Sequence, residues 1–220
     1  MQGIVFTYRK RRQSGKNRLK NSKKDFKTLL RKWGGVMLFS LTLVIGLTAG
    51  SLCSGNLSRE TLRNLDFLFT TNMPARLSGG AWGAFCAGFA SDFLFLLAAF
   101  LMGLSLWGAA ALPFIAFFRG FGVGVSAGYL IMTYGLKGLV FYISVLLPGI
   151  AVSCVALVYE LGVSFAVFRS ILHNVLGKTS GGLKETLARY LKSSLKYLII
   201  TFTASVIGSV LWVGLAGLFF

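Results

Sequence analysis

The chain has 220 residues, of which 55% are apolar and only 13% are charged, and its mean hydropathy is +0.73. This composition excludes an ordinary soluble domain and predicts an integral membrane protein. The net charge of +17 comes mainly from basic residues in 1–32 and 169–196, beside apolar blocks. Basic residues that flank apolar segments indicate how a protein is oriented in a membrane. This interpretation is favoured over nucleic-acid binding.

The chain begins with a basic tail, residues 1–32, which holds 12 Lys or Arg residues. Attraction to anionic lipid is expected to hold this tail against the cytoplasmic leaflet. The first predicted span, 33–52, follows with no charged residue. A signal peptide is the alternative, but the basic region is long and the apolar run exceeds the usual signal core. An uncleaved membrane anchor is therefore predicted.

An outer loop is predicted at 53–91, followed by a second span at 92–112 and a third at 114–134. Pro113 is expected to kink or end the helix between them, since proline removes a backbone bond. Arg119 is expected near a membrane face, because an arginine inside hydrocarbon is costly. Gly120, Gly124 and Gly128 repeat every four residues, which predicts a smooth face where a second helix can approach closely.

Two further spans are predicted at 139–160 and 197–220, with an inner basic hinge at 169–196. Pro148 lies inside the fourth span, where it is expected to loosen the helix. Five spans with the amino terminus in the cytoplasm place 19 of the 23 basic residues inside and the carboxyl end outside. The predicted fold is an all-α, polytopic membrane domain, 33–220, behind the basic tail.

Asp92, Arg119 and Glu160 are the ionisable residues nearest to hydrocarbon. Arg119 is expected to pair with Glu160 at the cytoplasmic end, and Asp92 to pair with Lys137 at the outer end. Pairing lowers a cost of ~2.5–3.5 kcal/mol for a charge at the centre of a span. A proton or ion path is the functional alternative. Structural pairing is favoured, because the helix interiors offer almost only Ser, Thr and Gly beside these charges.

No catalytic, cofactor or metal site is predicted. His173 is the single histidine and has no recognisable nucleophile or carboxylate pair near it in sequence. Three cysteines without ligand spacing do not form a metal motif. Cys53 and Cys86 share the predicted outer side and could form a disulfide there, but the odd total favours free thiols. Cys154 is interpreted as a small core residue.

The chain resembles the stage II sporulation protein M family of endospore-forming bacteria in a series of motifs that covers about half its length. The motifs, in order, are LMGLSLWG at 101–108, Pro113, FFRGFGVGVSAGYL at 117–130, YGLKGL at 134–139 and SVLLPG at 144–149. Their motif residues are Pro113, Arg119, Gly120, Gly124, Gly128, Gly135, Lys137, Gly138 and Pro148. One departure is Gly149-Ile150 after Pro148, where some relatives have a polar residue.

The resemblance implies a non-enzymatic protein of the mother-cell membrane. In that family the sporulation member recruits a lytic transglycosylase and an amidase/endopeptidase, which thin the septal peptidoglycan during engulfment of the forespore. Here the outer loop, 53–91, is the largest segment able to meet such partners, provided that the host forms spores. A small permease or channel subunit built around a helix broken at Pro148 and Gly149 is the main alternative. An intramembrane enzyme is the third.

Overall fold

The computed structural model describes residues 34–55, 80–105, 107–175 and 183–215. The predicted basic tail, most of the predicted outer loop and the last five residues lie outside these ranges. Every regular element in the described ranges is helical. The elements are α1 Gly34–Ser54, α2 Gly80–Leu104, α3 Gly108–Tyr134, α4 Leu136–Phe141, a π-helical turn Tyr142–Leu146, α5 Leu147–Val175 and α6 Leu183–Leu215.

Five helices are long and apolar enough to cross a membrane. They are α1, α2, α3, most of α6, and a continuous run Leu136–Asn174 that joins α4, the π-helical turn and α5. The shortest has 21 residues, which at 1.5 Å per residue matches the ~30 Å hydrocarbon core. The all-helical fold with five candidate spans is confirmed, and the chain has the features of a multi-pass membrane protein.

The second and third spans begin earlier than predicted. Helix α2 starts at Gly80 rather than at 92, and α3 starts at Gly108 and continues through Pro113. A tight turn joins them: the Ser105 N–H donates to the Met102 carbonyl and the Gly108 N–H to the Ser105 carbonyl, each at 3.2 Å. The prediction began the second span at Asp92 from the length needed to cross a membrane. The helix is longer than that, and Asp92 lies inside it because its charge is paired with Arg119.

The predicted inner hinge, 169–196, is mostly helical, since α5 continues to Val175 and α6 begins at Leu183. Lysine and arginine favour helices, so a basic stretch need not interrupt one. Arg189, Lys192 and Lys196 lie on the exposed surface of α6. The residues between these two helices, 176–182, lie outside the described ranges.

Helix α3 is the central helix of the bundle, with 12 of its 27 residues buried, whereas α2 has four of 25. Two hydrophobic cores lie along it. One contains Leu112 and Ala116, and the other contains Val123 and Leu130. Arg119 lies between these pairs in sequence, so a charged residue separates the two cores. The most extensive helix–helix contact is between α5 and α6, and α2 packs against both.

Two arginines line a cleft at one end of the bundle. The cleft lined by Gly35, Arg169 and Arg189 brings together the start of α1, the late part of α5 and the early part of α6. We call this the basic end. At the opposite end, Leu130 near the end of α3 shares a core with Trp212 near the end of α6.

Candidate functional site

A buried charge cluster joins three helices in the middle of the bundle. Arg119 of α3, with 2% of its side chain exposed, forms an ion pair with Asp92 of α2. Its guanidinium also donates to Ser91 Oγ at 3.2 Å and to Ser153 Oγ of α5 at 3.3 Å. The Phe95 ring centroid lies 5.3 Å from Arg119 Cζ, within cation–π range. These five residues are called the Arg119 cluster.

The cluster corrects both predicted ion pairs. Asp92 is the thirteenth of 25 residues in α2, and Arg119 is the twelfth of 27 in α3, so both lie mid-span. They meet because α2 begins twelve residues before Asp92, and the tight turn after α2 makes α3 run antiparallel to it. Arg119 therefore pairs with Asp92 rather than with Glu160. Lys137 is exposed at the turn after α3, away from this cluster.

A small cavity with three polar residues in its lining adjoins the Arg119 cluster. Its volume is about 30 Å³, and its lining includes Asp92, Arg119, Gly149 and Ser205. The Ser205 hydroxyl is buried and has no hydrogen-bond partner within the described part of the chain. The space is sufficient for one water molecule, which would satisfy that hydroxyl. The cavity is too small to hold an organic solute.

Gly120, Gly124 and Gly128 form a glycine stripe on α3, and α1 crosses α3 along this stripe. A Cβ atom on Gly120 would collide with the Leu43 carbonyl oxygen, and one on Gly124 would collide with the Leu47 carbonyl oxygen. Only hydrogen can therefore occupy these positions without separating the helices. The stripe ends at Gly128, where a Cβ would overlap the Ser54 side chain.

Helix α1 contributes glycines of its own to the same contact. A Cβ on Gly46 would collide with the Phe117 carbonyl oxygen, and one on Gly50 with the Phe121 carbonyl oxygen. Residue numbers rise together along the two helices, so α1 and α3 run parallel. Gly46 and Gly50 were not predicted from the sequence, although they have the same four-residue spacing that identified the stripe on α3.

The Gly-x-Lys-Gly motif makes the turn that ends α3. Gly135 has φ 59° and ψ −135°, a region that only glycine adopts readily. A Cβ on Gly138 would collide with the Leu130 carbonyl oxygen, so close backbone packing requires the second glycine. Lys137 between them is exposed. The two glycines therefore have defined structural roles.

The helix around Pro148 is loosened without being broken. The turn before it is π-helical, and the Leu147 N–H donates to the Tyr142 carbonyl five residues back. Gly149 then permits close approach of α6, because a Cβ there would lie 3.2 Å from the Ala204 carbonyl oxygen. A wider helical turn and a close helix contact thus occur together beside the small cavity.

Glu160 lies apart from the Arg119 cluster, in contact with α6. Its side chain is fully buried, and Ser194 Oγ donates to Oε1 at 2.6 Å. Nearby, the Tyr190 hydroxyl bonds Ser164 Oγ at 2.8 Å and the Phe100 carbonyl at 3.0 Å. These serine and tyrosine contacts were not predicted from the sequence, since isolated hydroxyl residues are common in membrane helices and have no distinctive spacing.

The remaining candidate residues do not assemble into a reactive site. Cys53, Cys86 and Cys154 are free thiols. His173 is exposed in the last turn of α5. Within residues 34–55, 80–105, 107–175 and 183–215, no three His, Cys, Asp or Glu residues lie close enough together to hold a metal ion.

Comparison with family models, with curated proteins and with solved structures finds no match to this chain. The likeness to the sporulation family is therefore a resemblance in sequence motifs. Those motifs coincide with close helix contacts, the α3–α4 turn and the buried ion pair. The cavity that the described motif residues Arg119 and Gly149 line has a volume of only about 30 Å³.

Proposed function

We propose that the chain is a non-enzymatic membrane scaffold for peptidoglycan remodelling during sporulation. It would lie in the cell membrane, with the amino terminus in the cytoplasm and the carboxyl terminus outside, and in a spore-forming host it would act in the mother-cell septal membrane. Its partners would be a lytic transglycosylase and an amidase/endopeptidase on the outer side. The motif resemblance supports the family, and the excess of basic residues supports the orientation.

The observation that best supports a scaffold is the Arg119 cluster. Arg119 donates to residues of α2 and α5 while being 2% exposed, so its charge is used to hold three helices together. A transport site requires polar groups along a route across the membrane, whereas the cavity beside this cluster holds about one water. Such a bundle suits a platform that presents its loops in fixed positions.

The proposed docking segment is 56–79, between α1 and α2. It is shorter than the predicted loop, 53–91, because α2 already begins at Gly80. The two helix ends that flank it, Ser54 of α1 and Gly80 of α2, lie at the end of the bundle opposite the basic end. In the proposed orientation this end faces the cell wall.

The experiment that tests the scaffold is deletion of the gene in a spore-forming host, followed by imaging of sporulating cells with a membrane dye. Arrest at a flat or bulging septum is expected. A variant with 56–79 replaced by a Gly/Ser linker should reach the membrane at normal levels, yet arrest similarly and fail to co-purify the wall hydrolases. Normal engulfment in the deletion strain would contradict the proposal.

A small permease or channel subunit is the second candidate. The π-helical turn before Pro148 and the Ser205 hydroxyl beside the Arg119 cluster, which has no partner among the described residues, favour it, because irregular helical turns and buried polar groups occur at transport sites. This hypothesis predicts normal engulfment and altered solute uptake in the deletion strain. The same strain therefore distinguishes the two functions.

A further inference from the structure

The cleft at the basic end is open and large enough to hold a ligand. Its volume is about 670 Å³, within the ~300–1,000 Å³ that small-molecule sites usually have. Arg169 of α5 and Arg189 of α6 line it, and both side chains are exposed, so a ligand in the cleft can reach them. We call it the Arg169 cleft.

The charged residues that line the Arg169 cleft are both basic. Arg169 has no ion-pair partner among the described residues. Arg189 lies 3.8 Å from Glu185, but these side chains are 79% and 81% exposed, and such an exposed pair is weak. Thr186 and Ser193 add hydroxyl groups to the same lining. Two guanidinium groups and two hydroxyls are suited to an anion with several acceptor oxygens, such as a phosphate.

The depth of the cleft places its arginines at the membrane surface. The first turn of α1 lies beside Gly162 of α5, because a Cβ there would be 3.3 Å from Val36. Arg169 follows Gly162 by seven residues, which is about 10 Å along the helix axis. In the other direction, Tyr159 lines the cleft and stacks on Tyr197, after which the chain has no charged residue. The lining thus changes from charged at headgroup depth to apolar at the edge of the hydrocarbon.

The apolar part of the lining favours a lipid over a soluble anion. It consists mainly of Val36, Val163, Phe165, Ala166 and Val167. An acyl chain would cover these side chains, whereas a soluble phosphate would leave them in contact with water. The basic tail of the chain itself is a poor occupant, because its 12 Lys or Arg residues against a single acidic residue are repelled by the two arginines. The same tail attracts anionic lipid to this end of the bundle.

We propose that the Arg169 cleft binds an anionic phospholipid, a property that goes beyond the scaffold function and does not depend on it. Arg169 and Arg189 donate hydrogen bonds to the phosphate oxygens from two different helices. One acyl chain lies along the apolar wall between Ala166 and Tyr159. The bound lipid thereby links α5 to α6 at the basic end.

The test compares phosphatidylglycerol, which has a net negative charge, with phosphatidylcholine, which has none. The full chain is purified from nanodiscs containing equal amounts of both lipids, and retained lipid is counted by native mass spectrometry. Preferential retention of phosphatidylglycerol is expected. The double variant Arg169→Gln/Arg189→Gln should lower the affinity for the first phosphatidylglycerol about tenfold, the lower range for a charge-assisted hydrogen bond. The matched control, Lys192→Gln/Lys196→Gln, removes the same charge from exposed positions of α6 outside the cleft and should retain the affinity.

A second variant, Ala166→Trp, fills the cleft and leaves both arginines in place. It should lower retention of phosphatidylglycerol, whereas Ala151→Trp, at an exposed position of α5 outside the cleft, should not. Equal losses in the arginine and lysine double variants would overturn the proposal, because they would show general attraction to a basic surface. Unchanged retention in Ala166→Trp would do so as well. Displacement of the lipid by an equal concentration of inorganic phosphate, or capture of a protein in place of lipid by a photocrosslinker at Ala166, would also overturn it.

Discussion

The Arg119–Asp92 pair places two opposite charges where each alone would be costly. Insertion scales give ~2.5–3.5 kcal/mol for one such residue at the centre of a span. Pairing, with further hydrogen bonds to Ser91 and Ser153, removes much of that cost. Loss of one partner leaves the other buried and uncompensated, which is more damaging than loss of both.

Arg119→Met should destabilise the protein by about 3–5 kcal/mol, because Asp92 then lacks its partner. Asp92→Leu should have a comparable effect. The double variant should be more stable than either single variant, since no unpaired charge remains. Thermal unfolding in detergent, monitored by the fraction that elutes as a monodisperse species, measures all three. Normal stability with lost function in Arg119→Met would instead support a transport role.

Gly135→Ala should destabilise the turn after α3 by about 1–3 kcal/mol, since alanine is strained at φ 59°. Leu136→Ala is a suitable control, because Leu136 is exposed and the substitution leaves the glycine at position 135 in place. The two variants can be compared by thermal unfolding in the same detergent. Equal melting temperatures would show that the backbone conformation at Gly135 is not important for stability.

At the scale of the helices, α1 and α3 form a parallel contact lined by glycines from both sides. Lipid tails are as apolar as leucine, so this contact depends on close van der Waals packing rather than on hydrophobic burial. Any side chain at its centre must displace backbone atoms of the other helix. Even an uncharged substitution that adds volume at these glycines should therefore weaken the contact.

Gly124→Leu should separate α1 from α3 and destabilise the protein by about 1–3 kcal/mol, the range for overpacking. The matched control is Gly214→Leu, because a Cβ at Gly214 has no atom within 4 Å. Thermal unfolding in detergent compares the two variants. Equal detergent stability of the two leucine variants would contradict the close-packing argument.

The sequence predicted the number of spans because length and hydropathy are properties of each segment alone. It also located the glycine face of α3, since that depends on spacing along one helix. The depth of Asp92 and Arg119 could not be obtained in this way, because a charge is tolerated mid-span only when another helix supplies its partner. The same limit applies to Ser153 and Tyr190, whose roles depend on contacts between distant segments.

At the scale of the whole molecule, orientation can be tested with the native thiol of Cys53, which is exposed beside the end of α1. In a chain with Cys86 and Cys154 changed to Ala, a membrane-impermeant maleimide should label Cys53 in intact cells. The control is Lys192→Cys in a cysteine-free chain, which should react only after permeabilisation. The reverse pattern would place the basic end outside and contradict the proposed topology.

The order of the paired charges along the chain has a consequence for biosynthesis. Asp92 leaves the ribosome 27 residues before Arg119, so α2 is complete while its counter-ion is still being made. Release of α2 alone into the bilayer would expose an isolated carboxylate to acyl chains. The short turn at Ser105 allows α3 to fold back directly. Insertion is therefore favoured as a helical hairpin that leaves the translocon with its charges already neutralised.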